Sequence, residues 1–583
     1  MALKIKTKWH LALFYKSPND PAIERDVKRI ENLHARFAKN HSDGGYLDDD
    51  DSLLKTLWEW DKLVGAGAWK PVLYFAYKKS LNSKDNSAAA NESRLVARLT
   101  KAANQTIFFT NNISKLPEEK QTNLLNERKL KKFHYFLKYL FGRGKHTLSD
   151  EEEKILNLKY LPAHHLWVSG QERLLNSKTV FFAGQSLPLS EAMGKVSDLQ
   201  TTPRRALGQN IVRMLKENSE FAENEINAVY TDKKINDELR GFKRPWHATV
   251  LDYQNDLAIV ENLVEAVTKH FSISREFYKL KARLLKEKCL TYHDRSAKIG
   301  KVPKKYAFAA ASKILLKAFG KIHPDFAEIA IRLISNSQVD VYPQKGKAGG
   351  AYCSGGVGTP TMLLLNWIGG ANSVMTFGHE MGHAIHTEFS KKQIPLYQEY
   401  SFTAAEIAST LFENFIFDEL TKNFSKKEKI IALHDRLQDK ISTIFRQIAC
   451  FNFEKELHEK VKSEGFVPKE KMAELMNKHM KSYLGTIVDL TDDDGYFFVS
   501  WTHLRRFFYV YSYAYGELAS NALYQKYKET GSPSAILKFL SAGGNDSVEN
   551  ILAASGINVR NPDFFSDGLK QMRNDLEQLK KLF

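Results

Sequence analysis

The sequence predicts a mainly α protein with one small β-sheet beside a single, chemically loaded helix. Three observations predict it. Apolar residues recur at three- and four-residue spacing through most of the 583 residues, as amphipathic helices require. One glycine-rich interval, residues 339–367, breaks that texture and reads as strand. Just beyond it, His379-Glu380-Met381-Gly382-His383 sits in a proline-free stretch with helical apolar spacing, from Met375 through Phe377 and Met381 to Ile385. A chain of this length exceeds what one hydrophobic core serves, so at least two domains are expected. The best boundary is 187–203, where Pro188, Gly194 and Pro203 stand among polar residues. It divides an N-terminal helical region, 1–190, from a region 191–583 that carries the histidine motif.

The elements follow in order. Residues 22–131 are helical in pattern, with Ile23, Val27, Ile30 and Leu33 on one face and Pro18 to Pro21 marking the start. Residues 41–51, with Gly44-Gly45 and the acids Asp48 to Asp51, read as a loop whose charges are solvated or cap a helix. Residues 82–91 form a further polar break. Past the boundary, helical periodicity resumes at Arg204 and is strong over 255–288, and Asp294 is read as a loop carboxylate. The glycines from Gly346 to Gly358 then lead into Thr361-Met362-Leu363-Leu364-Leu365, a hairpin or small sheet. They lack the Gly-Lys-Ser/Thr of a phosphate loop. An exposed edge of that sheet is suited to hold an extended peptide through backbone hydrogen bonds. After His379 the pattern is helical again over 404–420, 426–464, 469–484 and 504–527.

Composition excludes several classes. The formal charge is +17, but the lysines are dispersed and no basic block alternates with aromatics, so solvated helix faces explain it better than nucleic-acid binding. Cys289, Cys353 and Cys450 are too few and too scattered for a disulfide framework or a cysteine zinc site, which points to a reducing compartment. The segment Trp9 to Tyr15 makes a poor signal peptide. No apolar run approaches the ~20 residues of a membrane span. A cytoplasmic protein without a membrane partner is expected.

The motif carries chemistry. Four residues apart on a helix, His379 and His383 stack their imidazoles on one face, a spacing that suits two nitrogens of a zinc site. Glu380 is placed to accept a proton from a water activated there. A third protein ligand is needed. His386 is one candidate, although it would have to lean back along the helix. Glu406 is the better one, because a carboxylate facing inward from the apolar stretch Ala404-Ala405-Glu406-Ile407-Ala408 is costly unless bound or paired. Glu413, two turns on, is a candidate to orient a histidine.

With these residues in place, His379-Glu380-x-Gly382-His383-x-x-His386 followed by Glu406-Ile407-Ala408-Ser409 resembles the M3 metallopeptidases, and within them the oligoendopeptidase F branch. Gly349-Gly350-Ala351-Tyr352, Leu364-Leu365-Asn366, Arg446-Gln447 and the stretch from Trp501 to Gly516 fit the same branch, whereas Cys353 departs from its pattern. The resemblance implies a thermolysin-like zincin. Its helices would form an elongated, two-lobed shell around a deep channel with one Zn2+ per chain. Short unstructured peptides would be its substrates. It also implies that His503 and tyrosines after it serve catalysis. Tyr509 and Tyr513 are the favoured pair, with Tyr511 in reserve and Tyr352 a further substrate-side candidate. Two other readings remain. One is a zinc carboxypeptidase or dipeptidase, in which Arg505 or Arg506 would capture a terminal carboxylate. The other is a non-catalytic peptide-binding protein. The sequence does not indicate an oligomeric state.

Overall fold

The computed structural model describes residues 4–583, apart from the side chains of Asp150, Lys154, Asn157 and Leu161. The fold is mainly helical, with three small sheets among the described residues. The chain divides into two compact units, each assembled from three segments. The first comprises Met1–Lys145, Pro303–Asn423 and Ala519–Asn558; the second comprises His146–Val302, Phe424–Leu518 and Val559–Phe583. A single cut near residue 190 therefore differs from the observed division. The turn signals there instead build local structure within the second unit. Thr179–Phe182 pairs antiparallel with Gln185–Pro188 across Ala183 and Gly184, both at positive φ, and Pro188 then precedes the short helix Leu189–Lys195.

In the first unit, residues 22–131 resolve into successive helices. Asp20 starts the helix Pro21–His41 by accepting the Ala22 N–H, and Ile23, Val27 and Ile30 are buried along it. Asp49 caps the helix Asp50–Val64 by accepting from Asp51 and Ser52, so the acidic loop is a capping device. The core reaches from the chain start to the sheet. Trp9, Phe14, Tyr77, Met362 and Leu364 share one buried cluster, and the Trp9 indole donates to the Leu363 carbonyl at 2.8 Å. The three-stranded sheet places Met362–Leu364 in the centre. It is parallel to Val339–Asp340 and antiparallel to Tyr352–Ser354, which forms an edge. Lys347 locks the connection, pairing with Asp340 and donating to the Leu365 carbonyl, each at 2.6 Å. The sheet lies against the helix Ala371–Ser390, which carries the histidine motif.

In the second unit, Asp294 is buried and structural. It accepts from Arg204 and Arg205, each at 2.8 Å, and closes a capping box with Thr291. The predicted helix over 504–527 begins later. A 3-10 turn covers Thr502–Arg505, Phe507 and Phe508 adopt φ of 43° and 58°, and the helix runs from Tyr511 to Thr530. Two successive left-handed residues interrupt any helix. Among the described residues, no helix is long and apolar enough to cross a membrane.

Candidate metal centre

Two helices build the centre, Ala371–Ser390 and Phe402–Thr421, both in the first unit. Glycine lets them approach. A Cβ on Gly382 would lie 3.0 Å from both Ser409 Cα and Phe412 Cβ, and one on Gly378 would lie 2.5 Å from Ile416 Cγ1. One helix turn apart, these two positions present a flat strip against which the second helix sits. The Ser401 hydroxyl caps that helix by accepting the Ala404 N–H, which fixes where its first turn begins. Glu406 consequently faces the two histidines.

The ligand atoms of His379, His383 and Glu406 lie within 4.8 Å of one another, and His379 Nε2 stands 3.9 Å from Glu406 Oε2. Glu413 hydrogen-bonds the other nitrogen of His379, Nδ1. That bond orients the ring with Nε2 toward Glu406. His383 is similarly tied to the Ala405 backbone. Two imidazoles and one carboxylate, with the rings oriented by further hydrogen bonds, form a donor set suited to zinc.

Burial and mutual charge shift the titratable groups of the cluster. Burial alone would lower the His379 pKa, but the Glu413 bond and the neighbouring carboxylates overcome it and push it up to about 9. Burial raises Glu380 to about 7 and also raises Glu406, each opposed by the His379 charge. Burial and the charge on His379 hold His383 well below its usual value. Glu380 accepts a hydrogen bond from the Cys353 backbone, which sets its carboxylate beside the edge strand. A cleft of about 390 Å³ opens next to these groups, lined by His383 and Glu406 together with Ser354, Gly355, Tyr400 and Phe402.

His386 is outside the ligand group. It is buried and stacked on Tyr400 at 3.7 Å, and its burial drives its pKa down to about 3. Tyr352 donates to the Ser80 hydroxyl at 2.9 Å and packs edge-on to Trp9, so its hydroxyl has a structural partner.

The remaining expected site residues belong to the second unit. His503 Nδ1 hydrogen-bonds the Tyr509 hydroxyl, and the Tyr509 and Tyr513 rings are 5.7 Å apart. Only Tyr513 of that pair is helical, because the helix starts at Tyr511. Burial, followed by the charges of Arg446 and Arg506, lowers the His503 pKa to about 4, so the ring is neutral near pH 7. Tyr511 is fully buried and donates to Asn255 Oδ1 at 2.9 Å, a core role. Arg505 is also committed, donating from Nε and Nη2 to the buried Glu225 at 2.9 and 2.6 Å. It is thus not free to capture a substrate carboxylate.

Comparison with known proteins decides the family. The profile described as Peptidase family M3 matches residues 325–571, and one described as Oligopeptidase F matches residues 112–183. The chain belongs to peptidase family M3. Oligopeptidase PepF of Bacillus subtilis (strain 168) is 24% identical over 609 residues, covering 100% of this chain and 88% of its own. An oligoendopeptidase F homolog of Borreliella burgdorferi is 27% identical over 494 residues, covering 83% of each. Among solved structures, oligoendopeptidase-F from Enterococcus faecium superposes with a TM-score of 0.70 at 18% identity, covering 96% of this chain and 99% of that one. A candidate peptidase from Chlamydophila abortus reaches a TM-score of 0.83 at 22% identity, covering 99% and 98%. As an M3 peptidase, the chain is a metallopeptidase with a His379, His383 and Glu406 candidate metal group.

Sequence reasoning missed two features of this M3 peptidase. One is the Tyr400 ring that covers His386. The other is the pair of left-handed phenylalanines ahead of Tyr509. Neither leaves a local signal, since Phe507 and Phe508 are poor residues for positive φ.

Proposed function

We propose that this M3 peptidase is a zinc-dependent oligoendopeptidase that hydrolyses internal bonds of short, unstructured peptides in the cytoplasm. The carrying observation is the convergence of His379, His383 and Glu406 within 4.8 Å, with Glu380 buried beside them and fixed by the Cys353 backbone. Three free thiols fit a reducing compartment.

His379, His383 and Glu406 would hold one Zn2+, which when bound supplies Lewis acidity toward water and the scissile carbonyl. Glu413 and the Ala405 backbone keep the two imidazoles aimed. Glu380 takes the proton of the attacking water at its carboxylate and delivers it to the departing amine. The strand Tyr352–Ser354 is the sheet edge beside Glu380 along which an extended peptide can lie, with the Cys353 N–H already held by Glu380. The family resemblance assigns oxyanion stabilisation to a tyrosine hydroxyl after His503. Tyr509 suits that role because neutral His503 fixes its hydroxyl, and Tyr513 stands beside it as a second donor. The committed Arg505 weighs against a carboxypeptidase.

The test is mass spectrometry of peptides about five to twenty residues long, incubated with the protein, with the chelated protein, and with the chelated protein after zinc is returned. Internal cuts that chelator abolishes and zinc restores are expected. Cuts confined to one terminus would overturn the endopeptidase reading in favour of a carboxypeptidase or dipeptidase. Peptide retention without cleavage would leave a binding protein.

A further inference from the structure

The segment that delivers Tyr509 has an uncommon backbone. Phe507 and Phe508, at φ of 43° and 58°, are consecutive bulky residues in the left-handed region. Such a pair persists only where its surroundings over-determine it, and such outliers concentrate at functional sites. Three restraints hold it here. A Glu454 carboxyl oxygen accepts the Phe508 N–H at 2.5 Å. The Thr249 hydroxyl donates to the Phe507 carbonyl at 2.9 Å. The buried Phe508 ring is packed by Trp246, Phe451 and His458, with centroids at 5.9, 5.1 and 5.0 Å.

Glu454 is an expensive way to hold a chain. It is fully buried, and its second carboxyl oxygen has no hydrogen-bond partner. The nearby Lys233 ammonium is bonded to Asp237 and to the Pro245 carbonyl. For stability alone, an apolar side chain of the same size would avoid the desolvation of a buried carboxyl. What Glu454 achieves is local. It fixes the Phe507–Phe508 peptide unit, one residue ahead of Tyr509, whose hydroxyl His503 then engages.

We propose that Glu454 is a positioning residue of this peptidase. Through the Phe508 amide it sets the left-handed turn that aims the Tyr509 hydroxyl, and Thr249 acts as a second restraint on the same turn. The inference rests on the role given to Tyr509 above. Catalytic donors must be held to well under an ångström, so slackening this turn acts on turnover rather than on metal or peptide binding.

The experiment measures kcat, KM and zinc content on an internally cleaved fluorogenic peptide. The variants are Tyr509→Phe, Glu454→Gln, Glu454→Met, Thr249→Val and the Tyr509→Phe combinations of the last two. Loss of one oxyanion donor lowers kcat by about 100-fold, which is the value expected for Tyr509→Phe. Glu454→Met should lower kcat by roughly 10- to 100-fold, with KM within about threefold and zinc unchanged. Glu454→Gln, which keeps an acceptor oxygen for the Phe508 amide, should stay within about threefold of the wild type. Added to Tyr509→Phe, Glu454→Met should lower kcat no further, since the donor it aims is gone. A multiplicative loss in the double variant, or an equal loss in Glu454→Gln and Glu454→Met, would show a merely structural residue and overturn the proposal. If Glu454→Met does not fold, Thr249→Val carries the same test, and a loss that multiplies with Tyr509→Phe is again fatal. Should Tyr509→Phe retain wild-type kcat, the assignment of Tyr509 itself falls, and this inference with it. An impaired Tyr509→Phe beside a fully active Glu454→Met removes the inference alone.

Discussion

Gly382→Ala tests whether helix approach makes the metal centre. The added methyl would sit 3.0 Å from Ser409 Cα and Phe412 Cβ, whereas relaxed carbon–carbon contacts lie near ~3.8 Å. Neither neighbour is a side-chain tip that can swing aside, so the two helices must part by about 0.5–0.8 Å. Overpacking of this kind costs about 1–3 kcal/mol, and alanine in place of glycine returns about 1 kcal/mol of helix propensity. The apoprotein should therefore lose only about 0–2 kcal/mol, a fall of a few degrees in Tm. Zinc binding should suffer more. Metal sites accept ligand displacements of only about 0.2 Å, and Glu406 would retreat from His379 and His383 by more than that. Zinc affinity, read by competition with a chromophoric chelator, should fall at least about tenfold, which is ~1.4 kcal/mol. Gly349→Ala is the control, because a Cβ there meets nothing within 4 Å. A Gly382→Ala protein with wild-type zinc affinity and turnover would refute the idea that close helix packing sets the ligand geometry.

Three further outcomes are expected. Glu380→Gln should keep one zinc per chain by elemental analysis while kcat falls by about 10²–10⁴, and a variant with near-normal turnover would remove Glu380 from the chemistry. Glu413→Ala frees His379 Nδ1 and should weaken zinc binding by about 10–100-fold; unchanged affinity in the chelator competition would deny it that orienting role. His434 of the second unit is buried, and its pKa is lowered to about 4, mainly by that burial, from 6.5. The folded state keeps it neutral while the unfolded chain protonates it, so its contribution is complete above pH 6.5 and is lost as pH falls toward 4. Between pH 7 and pH 5 the wild type should lose about 2 kcal/mol more than His434→Leu in urea unfolding. Parallel pH profiles for the two proteins would contradict the assignment.

What was legible in the sequence was what short-range geometry decides. His379 and His383 share a face because any helix puts residues four apart together, and Glu406 stood out as a carboxylate inside an apolar helix. The capping of helices by Asp20 and Asp49 is equally local. Expectation and structure part where distant segments decide. Pro188 and Gly194 suggested a boundary, yet they serve a hairpin and a short helix, and unit membership is settled by pairings such as Trp9 with Leu363, 354 residues apart. The helix expected from residue 504 fails for the same reason. Its first turn is overridden by an acceptor 54 residues earlier, on Glu454, and a donor 258 residues earlier, on Thr249. Periodicity cannot register a hydrogen bond of that span. The two groups of candidate residues, one in each unit, are therefore encoded differently. The candidate metal group His379, His383 and Glu406 sits on regular helices whose geometry short-range spacing dictates, so a fragment of sequence points to it. Tyr509, the proposed donor, follows a left-handed turn whose restraints come from two separate stretches of the second unit, 246–249 and 451–458. Its position is thus a property of tertiary structure, and substitutions far from residue 509 should alter turnover while leaving the His379, His383 and Glu406 group intact.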